Sequence, residues 1–215
     1  MESRLRRLPQ LPLRLRHGLV LLGLGLAAVS VATLATPPAS AAKPAPSYSA
    51  AFKKLDRQWR EFLGDQKGLA AETQVATKIC QQAQDLENDP STAPYAPLMW
   101  SRLDTHLSTA AEPVMDATRQ ARHTAMVKLE SLDSTFTKLW AHKPAKLRVL
   151  HGGAQTVLHA DDFYLAALNE VTTAIARWHK HLCASAQHHV DIANQLLPKG
   201  DDALSDGMAR LKSLL

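Results

Sequence analysis

Apolar residues recur along this chain three and four positions apart for most of its length, the spacing that keeps one stripe of an α-helix facing inward. The longest such run covers Asp161–Leu197, with Leu168, Val171, Ile175, Trp178, Leu182, Ser185, His189, Ile192 and Leu196 on the stripe. Asp161 or Asp162 is placed to cap its start, and Pro198-Lys199-Gly200 supplies a stop. An earlier helix is predicted from about Ser49, where Phe52, Leu55, Trp59 and Phe62 share a face. Gly64-Asp65 and Gly68 interrupt or kink it before Leu69, Val75 or Ala76, Ile79, Ala83 and Leu86 resume the pattern. Asn88-Asp89-Pro90-Ser91 and the prolines at 94 and 97 then predict an extended connection.

A short helix follows over about Leu98–Leu107. Thr109-Ala110-Ala111-Glu112 has the form of a capping box, so another long helix is predicted from about Ala110. A single helix kinked at Pro113 satisfies the same residues. Its stripe is clearest at Leu129, Leu132, Phe136 and Leu139 or Trp140, and His142-Lys143-Pro144 ends it. Lys146–Ala160 fits either a small hairpin about Gly152-Gly153 or two short helical turns. Asp201-Asp202 is expected to cap a last short helix carrying Leu204, Met208, Leu211 and Leu215. The expectation is an all-α antiparallel bundle of about four principal helices plus short ones, in one domain over residues 50–215.

The first 41 residues change the picture of charge and compartment. Arg4, Arg6, Arg7, Arg14 and Arg16 precede an apolar run from Gly18 to about Leu34, and Ala39-Ser40-Ala41 is an A-x-A cleavage pattern. A signal peptide over 1–41 is expected, with export to the periplasm or the exterior; retention of the run as a short membrane anchor is the alternative. Arg6-Arg7 fits a twin-arginine signal poorly, and no cysteine near the site could carry a lipoprotein anchor. Residues 42–49 form a Pro/Ala/Ser lead-in. The whole chain has 25 basic and 20 acidic side chains; without the leader's five arginines and one acid, 20 face 19, a net charge of +1. The basic balance therefore belongs to the leader and argues against nucleic-acid binding.

The chain has two cysteines, Cys80 and Cys183, and in an exported protein an even count predicts a disulfide. The rival is a reactive thiol at Cys183 activated by His179, one turn earlier. No G-x-S-x-G elbow, phosphate-binding glycine loop, C-x-x-C, C-x-x-C-H or H-E-x-x-H occurs, so no catalytic motif stands out. Four of the ten histidines, His179, His181, His188 and His189, crowd into eleven residues, but not at the spacing that brings two imidazoles to one ion. His189 on the inward stripe and His179 on its flank are nonetheless candidates for a haem or transition-metal site, with Met115, Met126 or His123 as a second ligand. His159 with Asp161 and Asp162 is a candidate cation site. Trp59 and Trp178 are expected in the core, whereas Trp100 and Trp140 are candidates for a groove or interface. The leading expectation is a non-catalytic binding module for a protein or an amphiphilic ligand, followed by a haem or metal carrier and then a cysteine-dependent enzyme.

Overall fold

The computed structural model describes residues 45–215; the signal-peptide expectation lies outside them. Among the described residues there are five α-helices: α1 (Tyr48–Asn88), α2 (Ala96–His106), α3 (Glu112–Leu139), α4 (Pro144–Trp178) and α5 (Cys183–Lys212). A π-helical turn, Leu107–Ala111, joins α2 to α3 without a break, so four rods make the bundle. Their order is up-down-up-down. Tyr48 at the start of α1 lies beside Phe136 at the end of α3 and Leu211 at the end of α5, while Cys80 meets Cys183 at the other end. This is an all-α helical bundle, and among the described residues no helix is long and apolar enough to cross a membrane.

The α1 rod keeps Tyr48, Phe52, Leu55, Trp59, Phe62, Gln66, Leu69, Thr73, Ala76, Cys80 and Ala83 buried, alternating steps of four and three. Ser47 caps it, accepting the Ala50 amide. Gly64 and Gly68 do not break it. Both are helical, and a Cβ on Gly64 would meet nothing within 4 Å, so its absence weakens propensity without disturbing packing.

The α2–α3 rod departs from the predicted start at Ala110. Upstream, the buried positions are Ala96, Leu103 and Leu107; downstream they are Ala111, Met115, Thr118, Ala125, Leu129, Leu132 and Phe136. The two registers are one residue apart, and the π turn takes up that residue. Glu112 N–H donates to Leu107 O, five residues back, just ahead of Pro113, which has no N–H to give. Thr109 caps nothing: its hydroxyl donates back to Thr105 O at 2.7 Å.

The largest correction concerns Asp161–Leu197. It is not one helix but the end of α4 and the start of α5, separated by a turn over His179–Leu182. Leu182 N–H donates to Arg177 O and His181 N–H to Trp178 O, the paired bonds of a Schellman ending, with His181 at φ 57° in the left-handed position usually given to glycine. The His181 ring stacks on Trp100, centroids 4.1 Å apart and planes 10° apart, which holds the strained residue in place. The turn also rephases the stripe by one position. The buried face of α5 is Cys183, Ala186, Val190, Ala193, Gly200, Leu204, Gly207 and Leu211, not Ser185, His189 and Ile192. Pro198 does not stop α5, because it sits on the exposed face and core packing resumes at Gly200. Asp161, Asp201 and Asp202 are interior helix residues, and 146–160 is helical throughout, with no hairpin.

That last stretch is helical because of what it faces. Small residues recur every seven positions on both helices of the last pair: Gly153, Ala160, Ala167 and Ala174 on α4, and Ala186, Ala193, Gly200 and Gly207 on α5. Gly153 and Gly207 meet, and a Cβ on either would lie 3.3 or 3.1 Å from the other's carbonyl oxygen. Counting in sevens along antiparallel helices sets each later small residue of α4 opposite one of α5. Leu150, Val157, Tyr164, Val171 and Trp178 interleave with them and fill the seam. The α4–α5 pair is accordingly the most closely approached in the bundle, and α1 with α2–α3 forms a second hairpin.

A Cβ at position 207 would lie 2.6 Å from Val157 Cγ2 and 2.9 Å from Val157 N, so Gly207→Ala is expected to lower stability by about 1–3 kcal/mol despite alanine's better helix propensity. Gly64→Ala, with open space around it, is expected to raise stability by about 0.5–1 kcal/mol. Urea denaturation of both variants checks the pair; a stabilised Gly207→Ala contradicts the seam.

Candidate functional site

The layer between the two hairpins differs from the interior of each. It holds the Arg122–Asp161 pair, the disulfide and the groove at Trp59, while other grooves lie within the hairpin of α1 with α2–α3, between α1 and α3 and between α1 and α2. On its α3/α4 side, Arg122 forms a bidentate pair with Asp161, Nε to Oδ1 at 2.7 Å and Nη2 to Oδ2 at 2.6 Å, with only 19% and 10% of the two side chains exposed. Fork-to-fork pairing satisfies both carboxylate oxygens, as a charge withdrawn from water requires. Arg119 Nη2 donates to Thr172 Oγ1 at 2.6 Å one turn further along. At the two ends His151 meets Asp133 at 3.0 Å and His179 Nε2 meets Glu112 at 2.9 Å.

These contacts decide the metal candidates. Asp161 is committed to Arg122, Asp162 is exposed, and His159 is exposed against the edge of Phe163, so the three do not assemble a cation site. His189 lies on the flank of α5, half-buried, with Nδ1 2.7 Å from Glu170. His179 is held by Glu112, with Asp104 3.5 Å from its other nitrogen. Met115 is in the core, Met126 is half-buried beside it and His123 is exposed. Among the described residues no three histidine, cysteine or acidic side chains come together as a metal would need. Cys183 is bonded to Cys80, with Cα atoms 5.7 Å apart, and carries no thiol for His179 to activate.

The tryptophans also sort themselves. Trp59 and Trp178 are core, as expected. Trp140 is buried, 9% exposed, packed on Tyr48 and Phe136, with the Lys146 ammonium 5.0 Å above its ring. Trp100 is half-buried and used by the His181 stack.

The α1/α5 side of the layer is fastened at both ends and open between. At one end is the disulfide; at the other, Tyr48 Oη donates to Leu211 O at 2.8 Å. Burial pushes the Tyr48 phenol up to about 12, so it stays a donor through neutral pH. Between the ends lie two spaces. One is a cavity of about 20 Å³ beside Gln66, Thr73, Leu168 and Val190, room for a water molecule and nothing larger. The other is a groove of about 360 Å³ with Trp59, Leu63, Leu204 and Met208 as its apolar wall, and Asp56, Arg60, Lys67, Asp201 and Ser205 among its polar lining.

Trp59 is 2% exposed, and its indole Nε1 is buried without an acceptor among the described residues. Leaving such a donor unpaired costs about 1–3 kcal/mol. Tyr164, stacked edge-on to Phe62 in the same aromatic cluster, has no such deficit, since its hydroxyl donates to Asp201 at 2.7 Å. Burial first, and then that hydrogen bond, pushes its pKa well above the ordinary tyrosine value. The groove thus joins an apolar wall and a charged rim. No protein-family model matches the chain, and comparison with curated proteins and with solved structures finds no match.

Arg122→Met leaves the Asp161 carboxylate buried without its partner and is expected to destabilise the bundle by about 3–5 kcal/mol. Arg122→Met with Asp161→Leu removes both charges and is expected to recover most of that loss. Chemical denaturation of the single and double variants measures the coupling; additive losses contradict a paired role.

Proposed function

We propose that this chain is an exported, non-catalytic helical-bundle binding protein, and that its ligand is taken up in the groove between α1 and α5. The observation that carries the reading is the groove itself, whose apolar wall of Trp59, Leu63, Leu204 and Met208 is edged by Asp56, Arg60, Lys67, Asp201 and Ser205. The groove's volume falls within the range of about 300–1,000 Å³ typical of small-molecule sites, and its wall is apolar with a few polar groups at the edge.

The architecture supports a groove that keeps its shape while exchanging its contents. The disulfide and the Tyr48–Leu211 bond fix the two ends of the seam, so α1 and α5 are positioned before a ligand arrives. Export is the part of the proposal that rests on the arginine-rich leader and its A-x-A site, and a disulfide accords with an oxidising compartment.

Native mass spectrometry of protein recovered from its exporting host tests both parts. The expected chain begins at Ala42, carries the disulfide and retains a small-molecule mass that is lost in Ser205→Trp, where an indole at the exposed rim fills the groove. A chain still beginning at Met1 contradicts export. A retained mass indifferent to Ser205→Trp contradicts the site.

A further inference from the structure

We propose that the end of the bundle at which α1 begins docks on an anionic phospholipid surface. The groove plays no part in this docking.

Four segments meet at that end. The start of α1, the finish of α3, the start of α4 and the finish of α5 gather around Tyr48, Phe136, Trp140 and Leu211. Residues 48–58, 132–152 and 204–215 hold nine lysines and arginines against three acidic side chains and the terminal carboxylate, a net charge of +5. The remaining described residues hold ten basic and sixteen acidic side chains, a net charge of −6. A bundle that is nearly neutral as a whole is therefore divided into a basic end and an acidic remainder.

The helix dipoles do not set that sign, because two N-termini and two C-termini lie together. Pairing sharpens it. Asp56 is engaged by Arg60, Asp133 by His151 and Asp206 by Arg210. Lys53, Lys54, Lys138, Lys143, Arg148 and Lys212 are exposed and make no ion pair among the described residues. The basic end covers about 15 Å of helix, about two Debye lengths at physiological salt. A surface approaching it meets the local charge and not the distant acids.

Two further features favour a bilayer over a dissolved polyanion. Leu139, at the finish of α3, and Leu215, at the C-terminus, are 48% and 61% exposed at this same end. Lipid headgroups attract the basic side chains and the acyl boundary receives the leucines, whereas a dissolved polyanion has no apolar layer to offer them. The apolar run of residues 18–34 also precedes Tyr48 in the chain, so the membrane-directed leader proposed above is attached at this end. With two leucines and no membrane-crossing helix among the described residues, the contact is peripheral.

Residues 42–215, prepared oxidised and without the leader so that the outcome does not depend on export, are titrated with vesicles of two compositions. One is phosphatidylcholine; the other mixes it in equal parts with phosphatidylglycerol. Binding to the mixed vesicles is expected to be at least about tenfold tighter, and to vanish at about 1 M salt. Reversing three charges at the basic end, Lys53→Glu with Lys138→Glu and Lys143→Glu, is expected to lose at least about tenfold of that affinity. Reversing three elsewhere, Lys78→Glu with Arg102→Glu and Lys180→Glu, gives the same net charge and is expected to lose little. Leu139→Ser with Leu215→Ser is expected to weaken vesicle binding severalfold and to leave any binding of inorganic polyphosphate unchanged; circular dichroism checks that each variant keeps its helices. Equal binding to the two vesicles, or equal losses in the two charge-reversed variants, would overturn the docking face. Vesicle binding indifferent to the leucine variant, with polyphosphate bound as tightly, would overturn the lipid and leave a site for a dissolved polyanion.

Discussion

The contact on which the structure depends is the close approach of α4 and α5 along their small-residue seam. Gly153 against Gly207 brings the two backbones together, and the sevenfold recurrence of alanine and glycine carries that approach along the pair. Large residues between them, Val157 and Tyr164 among them, are fully buried in the seam. The two hairpins, α4 with α5 and α1 with α2–α3, then meet in a layer of their own. That is where the cross-links, the buried Arg122–Asp161 pair, the cavity at Gln66 and the Trp59 groove are found.

A polar layer between two apolar hairpins has a thermodynamic meaning. A buried ion pair contributes little net stability beside a well-packed apolar pair, yet losing one partner is costly, so Arg122 and Asp161 count as a unit that ties α3 to α4. The disulfide closes a span of 103 residues, which in the chain-entropy model stabilises by up to about 4.7 kcal/mol. It does so by joining α1 to the first residue of α5, across the hairpins and beside the turn that His181 and Trp100 hold shut. The groove at Trp59 thus lies between two fixed ends, the disulfide and the Tyr48–Leu211 bond.

Much of this architecture was legible in the sequence, and its misreadings have physical causes. The 3-4 spacing of Phe52, Leu55, Trp59 and Phe62, and of Leu129, Leu132 and Phe136, identifies helices because it needs only local periodicity. The break at His179–Leu182 has neither glycine nor proline to announce it; a histidine adopts the left-handed turn because a tryptophan some eighty residues earlier stacks on it. Pro198-Lys199-Gly200 looks like a stop, but the proline faces solvent and Gly200 is there to admit the Tyr164 ring, which a Cβ would approach to 2.7 Å. Asp161 resembles a cap until its partner is known. The available signal was Arg122, which falls within an otherwise apolar stripe between Thr118 and Ala125. The groove had no such signal, since its two walls are contributed by helices more than a hundred residues apart.

Native-state hydrogen exchange with the disulfide intact and reduced tests most directly whether the bundle is two hairpins meeting at a softer layer. The slowest amides are expected along the facing sevens of α4 and α5, from 153 to 174 and from 186 to 207, and to remain slowest after reduction. The α1 amides beside the groove and cavity, from 59 to 73, are expected to lose protection once the Cys80–Cys183 link is cut. If reduction instead strips α4 and α5 of protection to the level of α1, the small-residue seam is not what holds this bundle together.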